Sequence, residues 1–417
     1  MEIDQYLVQN KDCYIFPITA MTSITNPSLS IAQYRQKFPA LANKRYFNFG
    51  GQGPLPQESI TAIQKAYHYI QEAGPFSGKV NDWVIAEANL TRGAIASEIG
   101  VSKETIALTE DVTVGCNIAL WGINWQKGDR ILLTDCEHPG IIATVQEIAQ
   151  RFEVEFSFCP IMATLNEGNP TEVILQHLQP STKLVVLSHV LWNTGQVLPL
   201  AEIVKACRDY SPHSQPVKIL VDAAQSVGLL PLNLTELEVD FYAFTCHKWW
   251  CGPGGIGGLY IKPEVLEELN PTFIGWRGII VDKVGQPIGW QPDARRFEVA
   301  TSAYPLYKGV QAAIALHQSW GTGEARYQQI CQLSKYLWQR LSEVKSVRCL
   351  LTSPPQSGLV SFVLTNGKSS HQLVKSLEEQ GFLLRTLRDP DCIRACLHYF
   401  SNFEDIDKLV EVLMAND

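Results

Sequence analysis

One apolar run, Lys218-Ile-Leu-Val, ends on Asp222 and continues as Ala-Ala-Gln225-Ser226. A second, Asp240-Phe-Tyr-Ala-Phe-Thr245, passes through Cys-His247 into Lys248 and then Trp-Trp-Cys-Gly-Pro-Gly. Taken singly these residues have plain roles, a strand-end Asp capping a helix and a Lys at the surface. Taken together, a carboxylate closing one buried strand and an amine just past the next suit imine chemistry. The lysine condenses with a carbonyl, and the acid keeps a heteroaromatic nitrogen protonated so that the ring draws off electrons. These are the two groups that pyridoxal 5'-phosphate (PLP) requires of a protein.

Other segments supply matching pieces. Thr109-Glu-Asp-Val112-Thr113-Val-Gly-Cys-Asn117 feeds a loop into a helix, where free backbone N–H groups and the dipole favour an anion such as phosphate. The plainer role for Thr113 is a helix cap. Asp135-Cys-Glu-His138-Pro-Gly places a flat ring at a strand end, suited to stacking on another ring, although a lone histidine there is more often structural. Arg385 follows Gly381-Phe-Leu-Leu, and Arg394 lies in Asp391-Cys-Ile-Arg394-Ala-Cys-Leu. A guanidinium grips a carboxylate through two parallel bonds, and the plainer role is a surface ion pair. Arg394 sits in an apolar strand pattern where an unpaired charge is costly, so it needs a ligand or an acidic partner. Gly252-Pro-Gly254-Gly-Ile-Gly257 satisfies a dinucleotide fingerprint literally, but Gly258-Leu-Tyr-Ile continues into a strand rather than opening a helix, which excludes that reading.

These segments resemble the class V aminotransferase superfamily of fold type I PLP enzymes over nearly the whole chain from Tyr46 onward. Carbon–sulfur lyases acting on L-cystine or L-cysteine come nearest, with cysteine desulfurases as relatives. The resemblance implies a cofactor held on Lys248, with Asp222 at the ring nitrogen, Gln225 at the ring oxygen and His138 stacked on the ring. It implies a phosphate held by Val112, Thr113, Thr245 and His247. Arg385 and Arg394 match arginines near the substrate carboxylate, and Trp276 in Phe273-Ile-Gly-Trp276-Arg-Gly matches a loop that closes over it. Thr301, ending Arg295-Arg-Phe-Glu-Val-Ala-Thr301, matches a threonine that reaches the phosphate of the neighbouring subunit, which implies an obligate homodimer with a shared site.

The superfamily hosts several reactions, so the choice comes from the site. Desulfurases carry a nucleophilic cysteine on a flexible loop between the two arginines and leave alanine. Here only Thr386 to Ile393 separate them, which disfavours a mobile loop. Cys392 falls in that interval, on the face of a strand that Arg394 shares, and a buried structural thiol is the commoner role. The reading is therefore a β-elimination giving pyruvate, ammonia and cysteine persulfide from cystine, or sulfide from cysteine. A desulfurase giving alanine and persulfide, an aminotransferase and an epimerase remain as alternatives. The amino acid is a small-molecule partner, and an iron–sulfur assembly protein is a candidate acceptor for the sulfur.

Around these residues the chain reads as α/β, a large domain with a mostly parallel sheet and a smaller α/β domain. Apolar runs at Thr105 to Leu108, Arg130 to Thr134, Lys183 to Ser188 and Lys218 to Val221 alternate with helical patterns such as Gly140 to Phe152 and Leu200 to Tyr210. After Pro305 come long helices, Leu306 to Trp320 and Glu324 to Val344, then short strands near Leu359 to Val363 and Ile393 to Leu397, and a final helix, Glu404 to Met414. Residues 46–304 form the expected large domain, 29–45 (with a lead-in helix from Ile31 to Arg45) and 305–417 the small one, and 1–28 a flexible extension in which Met21 is an alternative start. At 46% apolar and 18% charged residues the chain supplies ample core, and its net charge of -8 argues against a nucleic-acid partner. No apolar stretch spans a membrane, no secretory signal precedes the 11 scattered cysteines, and their spacing is not that of a zinc site. Reduced thiols and a cytoplasmic enzyme are the expectation.

Overall fold

The computed structural model describes residues 30–210 and 216–415; the extension expected over 1–28 lies outside them. Helix α1 (Ile31–Arg35) starts at Ser30, whose hydroxyl accepts from Gln33 N. The lead-in helix expected to reach Arg45 ends here. Pro39 lacks a helical N–H and biases the preceding residue, so Phe38 is extended at φ -110° and ψ 101°. The short strand β1 (Arg45–Tyr46) follows, then the long helices α2 (Gln57–Ala73) and α3 (Gly78–Ile99).

Seven strands form the main sheet: β2 (Ile106–Thr109), β3 (Arg130–Thr134), β4 (Glu155–Cys159), β5 (Thr182–Ser188), β6 (Lys218–Asp222), β7 (Phe241–Thr245) and β8 (Gly257–Ile261). Their order is β2-β8-β7-β6-β5-β3-β4. The five strands from β7 to β4 are parallel neighbours, whereas β8 runs against both β7 and β2. The run at Thr105 to Leu108 therefore pairs antiparallel, not parallel. Because β8 reverses twice, β2 still points the same way as β7, and its carboxyl end opens on the same edge. Helices α4 (Val112–Gly122), α5 (Pro139–Phe152), α6 (Pro170–His177), α7 (Leu200–Asp209) and the short α8 (Leu234–Leu237) connect the strands.

Alternation assigns the strand residues to two cores. Leu132, Val185, Ile219, Val221 and Phe244 pack on one face, and Ile131, Leu133, Val186, Leu220 and Ala243 on the other. Both faces are covered, which is why these strands are apolar throughout.

Beyond the sheet, β9 (Ile279–Val281) and β10 (Pro287–Trp290) form an antiparallel pair. Helix α9 (Pro305–Trp320) packs on α2 and α3 and leads to α10 (Gly323–Leu341). Next come β11 (Val347–Cys349), β12 (Leu359–Leu364), α11 (Ser370–Glu379), β13 (Phe382–Leu383), β14 (Arg385–Arg388), β15 (Asp391–Cys396) and α12 (Phe403–Ala415). Strands β11-β12-β15-β14 make an antiparallel sheet whose core includes Leu333, Leu337, Val360, Ile393, Ala395 and Leu409. β13 pairs with β1, tying the N-terminal segment to this part of the chain.

Candidate active site

The carboxyl ends of β2, β3, β5, β6 and β7 share one edge, the side on which open α/β sheets bind ligands. Asp222 closes β6, and Lys248 stands three residues past β7. Asp222 is 5% exposed, and its Oδ1 accepts from Ala224 N at 2.9 Å. Burial raises its pKa, while the Ala224 bond and the charges of Lys248 and His138 oppose the shift. Lys248 is held down at about 8, burial being the largest cause and the Arg394 and Arg385 charges adding to it against Asp222. Among the described residues neither Asp222 nor Lys248 is in an ion pair.

His138 is the N-cap of α5, its Nδ1 accepting from Gly140 N at 3.2 Å. Partial burial lowers its pKa, the Asp222 charge opposes the shift, and Lys248 and Arg385 push it further down. Gln225 is 3% exposed and doubly engaged, donating to Gly50 O at 2.8 Å and accepting from Trp249 Nε1 at 3.0 Å. A Cβ on Gly53 would stand 2.2 Å from the Lys248 carbonyl, so only glycine lets that segment pass, and its N–H donates to His247 O at 2.7 Å.

Helix α4 is capped by Asp111, which accepts from Val114 N at 2.9 Å. Thr113 is thus inside the helix and is not its cap. The N–H groups of Val112 and Thr113 have no intrahelical partner, the anion-binding arrangement of a helix start. Thr245 Oγ1 and His247 Nδ1 are joined at 2.6 Å, and burial lowers the His247 pKa.

Arg385 and Arg394 are Cα partners across the β14–β15 hairpin, whose turn is Asp389-Pro390. Like charges placed opposite each other destabilise a sheet unless an anion joins them. Arg385 is exposed; Arg394 is 2% exposed and has no acidic partner among the described residues. Arg394 Nη1 donates to Trp192 O at 2.6 Å, and its buried Nε has no partner. An arginine so buried calls for a ligand carboxylate. The amine, the buried carboxylate, the helix start and the orphaned guanidinium together fit PLP and an amino acid. Cys392 is also fully buried in the hairpin, and burial pushes its thiol up to about 12.

Two expected members lie apart. Trp276 is 59% exposed and Thr301 is exposed, and among the described residues no hydrogen bond or ion pair ties either to the residues above. Three members were missed from sequence. Trp192 has its indole 5.9 Å from His138 and its carbonyl on Arg394, Asn193 has a buried Oδ1 without a partner, and Glu137 links Thr134 to Ser188 beneath the site. For Trp192 and Asn193 the signal was the Trp192-Asn-Thr-Gly195 stretch so soon after β5, whereas Glu137 carried none.

The sequence model of the aminotransferase class-V family matches residues 45–409. A solved structure of the cystine C–S lyase C-DES with its reaction product cysteine persulfide is 54% identical at a TM-score of 0.89, covering 90% of this chain and 99% of that one. A C-DES mutant with glycine covalently linked to the PLP cofactor is 54% identical at a TM-score of 0.90, covering 91% and 98%. The cysteine desulfurase of Haloferax volcanii is 30% identical over 393 residues, 89% of this chain and 88% of its own length.

Proposed function

The chain belongs to the aminotransferase class-V family, and on that premise we propose that it is a PLP-dependent carbon–sulfur lyase that cleaves L-cystine by β-elimination to pyruvate, ammonia and cysteine persulfide. The likeness to C-DES supports the cofactor and the substrate. The observation that carries the choice of reaction is the tight β14–β15 hairpin. With Arg385 and Arg394 paired across it and only Asp389-Pro390 at its turn, no loop between the two arginines can present a thiol to the substrate sulfur.

PLP, when bound, supplies a sink for the charge that develops at the substrate α-carbon. The chain's own residues do the rest. Lys248 would hold the group covalently, and its Nζ would be the base that takes the substrate α-proton. An amine held at about 8 is partly unprotonated at neutral pH, as a base must be. Asp222, with only its Oδ1 engaged by Ala224 N, would keep a proton on the ring nitrogen. His138 would stack on the ring and Gln225 would meet its oxygen, while Val112, Thr113, Thr245 and His247 would receive the phosphate. Arg394 and Arg385 grip the α-carboxylate. The leaving group is a persulfide, which bears negative charge more easily than an alkyl thiolate, so cystine is preferred to cysteine.

The active form is a homodimer with a shared site. Phe273, Ile274, Trp276, Val284 and Ile288 are 57 to 79% exposed within one short stretch, an apolar patch of the kind that marks an interface. Through it Thr301 reaches the partner's phosphate, and Trp276 borders the substrate. We assign 46–304 to the cofactor domain and 29–45 with 305–417 to the smaller one. The enzyme is cytoplasmic, and its persulfide serves iron–sulfur cluster assembly; no helix among the described residues is long and apolar enough to cross a membrane. Purified protein should be yellow and release pyruvate from cystine, and Lys248→Ala should abolish both. A yellow, active Lys248→Ala protein would overturn the assignment.

A further inference from the structure

The turn that carries Lys248 is irregular and strained, since Cys251 sits in the left-handed region at φ 51°. Parts of it are closed by the backbone: Cys251 N donates to Lys248 O at 3.0 Å, Gly252 N to Cys246 O at 2.9 Å, and Gly53 N to His247 O at 2.7 Å. Among the described residues no backbone N–H reaches the carbonyls of Trp249 or Trp250. Two buried histidines from elsewhere in the chain do so. His398, just past β15, meets Trp249 O through Nε2 at 2.8 Å, and His317 of α9 meets Trp250 O through Nε2 at 2.7 Å. A carbonyl only accepts, so each Nε2 carries the proton. His317 Nδ1 then accepts from Tyr399 Oη at 2.6 Å, and Tyr399 in turn is bonded to Tyr34. The two imidazoles stack at 5.4 Å, and His398 stacks on the Trp249 indole at 5.9 Å, whose Nε1 holds Gln225.

We propose that His398 and His317 are positioning residues for Lys248, a pair of imidazole N–H donors that hold the two carbonyls following it and so fix where its amine points. This rests on the assignment of Lys248 as anchor and base. The same two histidines and Cys251 bring their ligand atoms within 4.8 Å of one another, the geometry of a candidate metal cluster. Both His317 nitrogens and His398 Nε2 are already hydrogen-bonded, which leaves only His398 Nδ1 and the Cys251 thiol, too few for a metal ion.

The test compares His398→Leu, which deletes the donor, with His398→Gln, whose amide N–H replaces it, both as holoenzymes with cystine. Small displacements of a reacting group are costly, so His398→Leu should lower kcat about tenfold or more. KM should stay within about twofold, because the Arg394 grip is untouched. The pH midpoint of its visible absorbance should also move, since that reports the setting of the Lys248 amine. His398→Gln should recover most of kcat and the wild-type midpoint. Tyr399→Phe, which keeps the shape of the cluster but removes the hydroxyl that anchors His317 through Nδ1, should cause a smaller fall with the same midpoint shift, and serves if His398→Leu does not fold. Wild-type kcat and midpoint in a folded His398→Leu or Tyr399→Phe protein, or equal impairment of the Leu and Gln variants, would overturn the proposal. So would one equivalent of metal, by elemental analysis of wild type, that is lost in His398→Gln. Failure of the underlying reading looks different, because Lys248→Ala would then keep both the visible absorbance and turnover.

Discussion

At the residue scale, the site turns on groups whose surroundings set their protonation. The places of Lys248 and Asp222 at the ligand-binding edge could be read from sequence because Asp222 closes one buried, largely apolar strand and Lys248 stands three residues past the next. Glu137 could not, since its importance lies in contacts made through space. Its carboxylate accepts from Thr134 Oγ1 at 2.5 Å, Ser188 N at 2.9 Å and Ser188 Oγ at 3.0 Å, and burial, with Asp222 nearby, pushes its pKa up from 4.5 to about 8. A raised folded-state pKa means that the proton is held more tightly in the folded protein. That stability is fully present below about 4.5 and is lost as the pH rises through about 8. Glu137→Gln, neutral at every pH, should therefore gain on wild type by about 2 °C or more in thermal midpoint between pH 5 and pH 8. A gap that does not widen over that range would contradict the assignment. Asp222→Ala, which removes the group proposed to keep the ring nitrogen protonated, should fold and lose most turnover; near-normal turnover would remove it from the mechanism.

At the element scale, the proposed binding and reaction both rest on the β14–β15 hairpin. The short spacing of its arginines was visible in sequence, but their direct pairing was not, because register depends on where the turn falls. Sequence likewise showed Pro39 without showing that the lead-in helix would already have ended there. Arg394 is fully buried and Arg385 exposed, so the two should not count equally. Charge-assisted hydrogen bonds contribute about 1.5 to 3 kcal/mol, so Arg394→Ala should raise KM for cystine roughly ten- to a hundredfold. Arg385→Ala should raise it less. Equal KM in wild type and Arg394→Ala, from initial rates, would place the carboxylate elsewhere.

At the scale of the whole molecule, the main sheet's architecture was readable from alternating strand and helix patterns. The antiparallel insertion of β8 was not, since a glycine-rich strand carries no direction in its own residues. Nor does a single chain gather every expected site residue: Thr301 and the apolar patch around Trp276 look outward. Sedimentation should find a dimer, and Thr301→Ala should keep that dimer while losing PLP more readily on dialysis; an active monomer would contradict a shared site. The central claim is that sulfur leaves on a small molecule, without a protein thiol taking part. Pyruvate, alanine and persulfide should be quantified together from cystine with wild type and Cys392→Ala. The account predicts pyruvate and low-molecular-weight persulfide in equal amounts from both proteins, at similar rates and with no alanine. Alanine from wild type, together with loss of activity in Cys392→Ala, would contradict it.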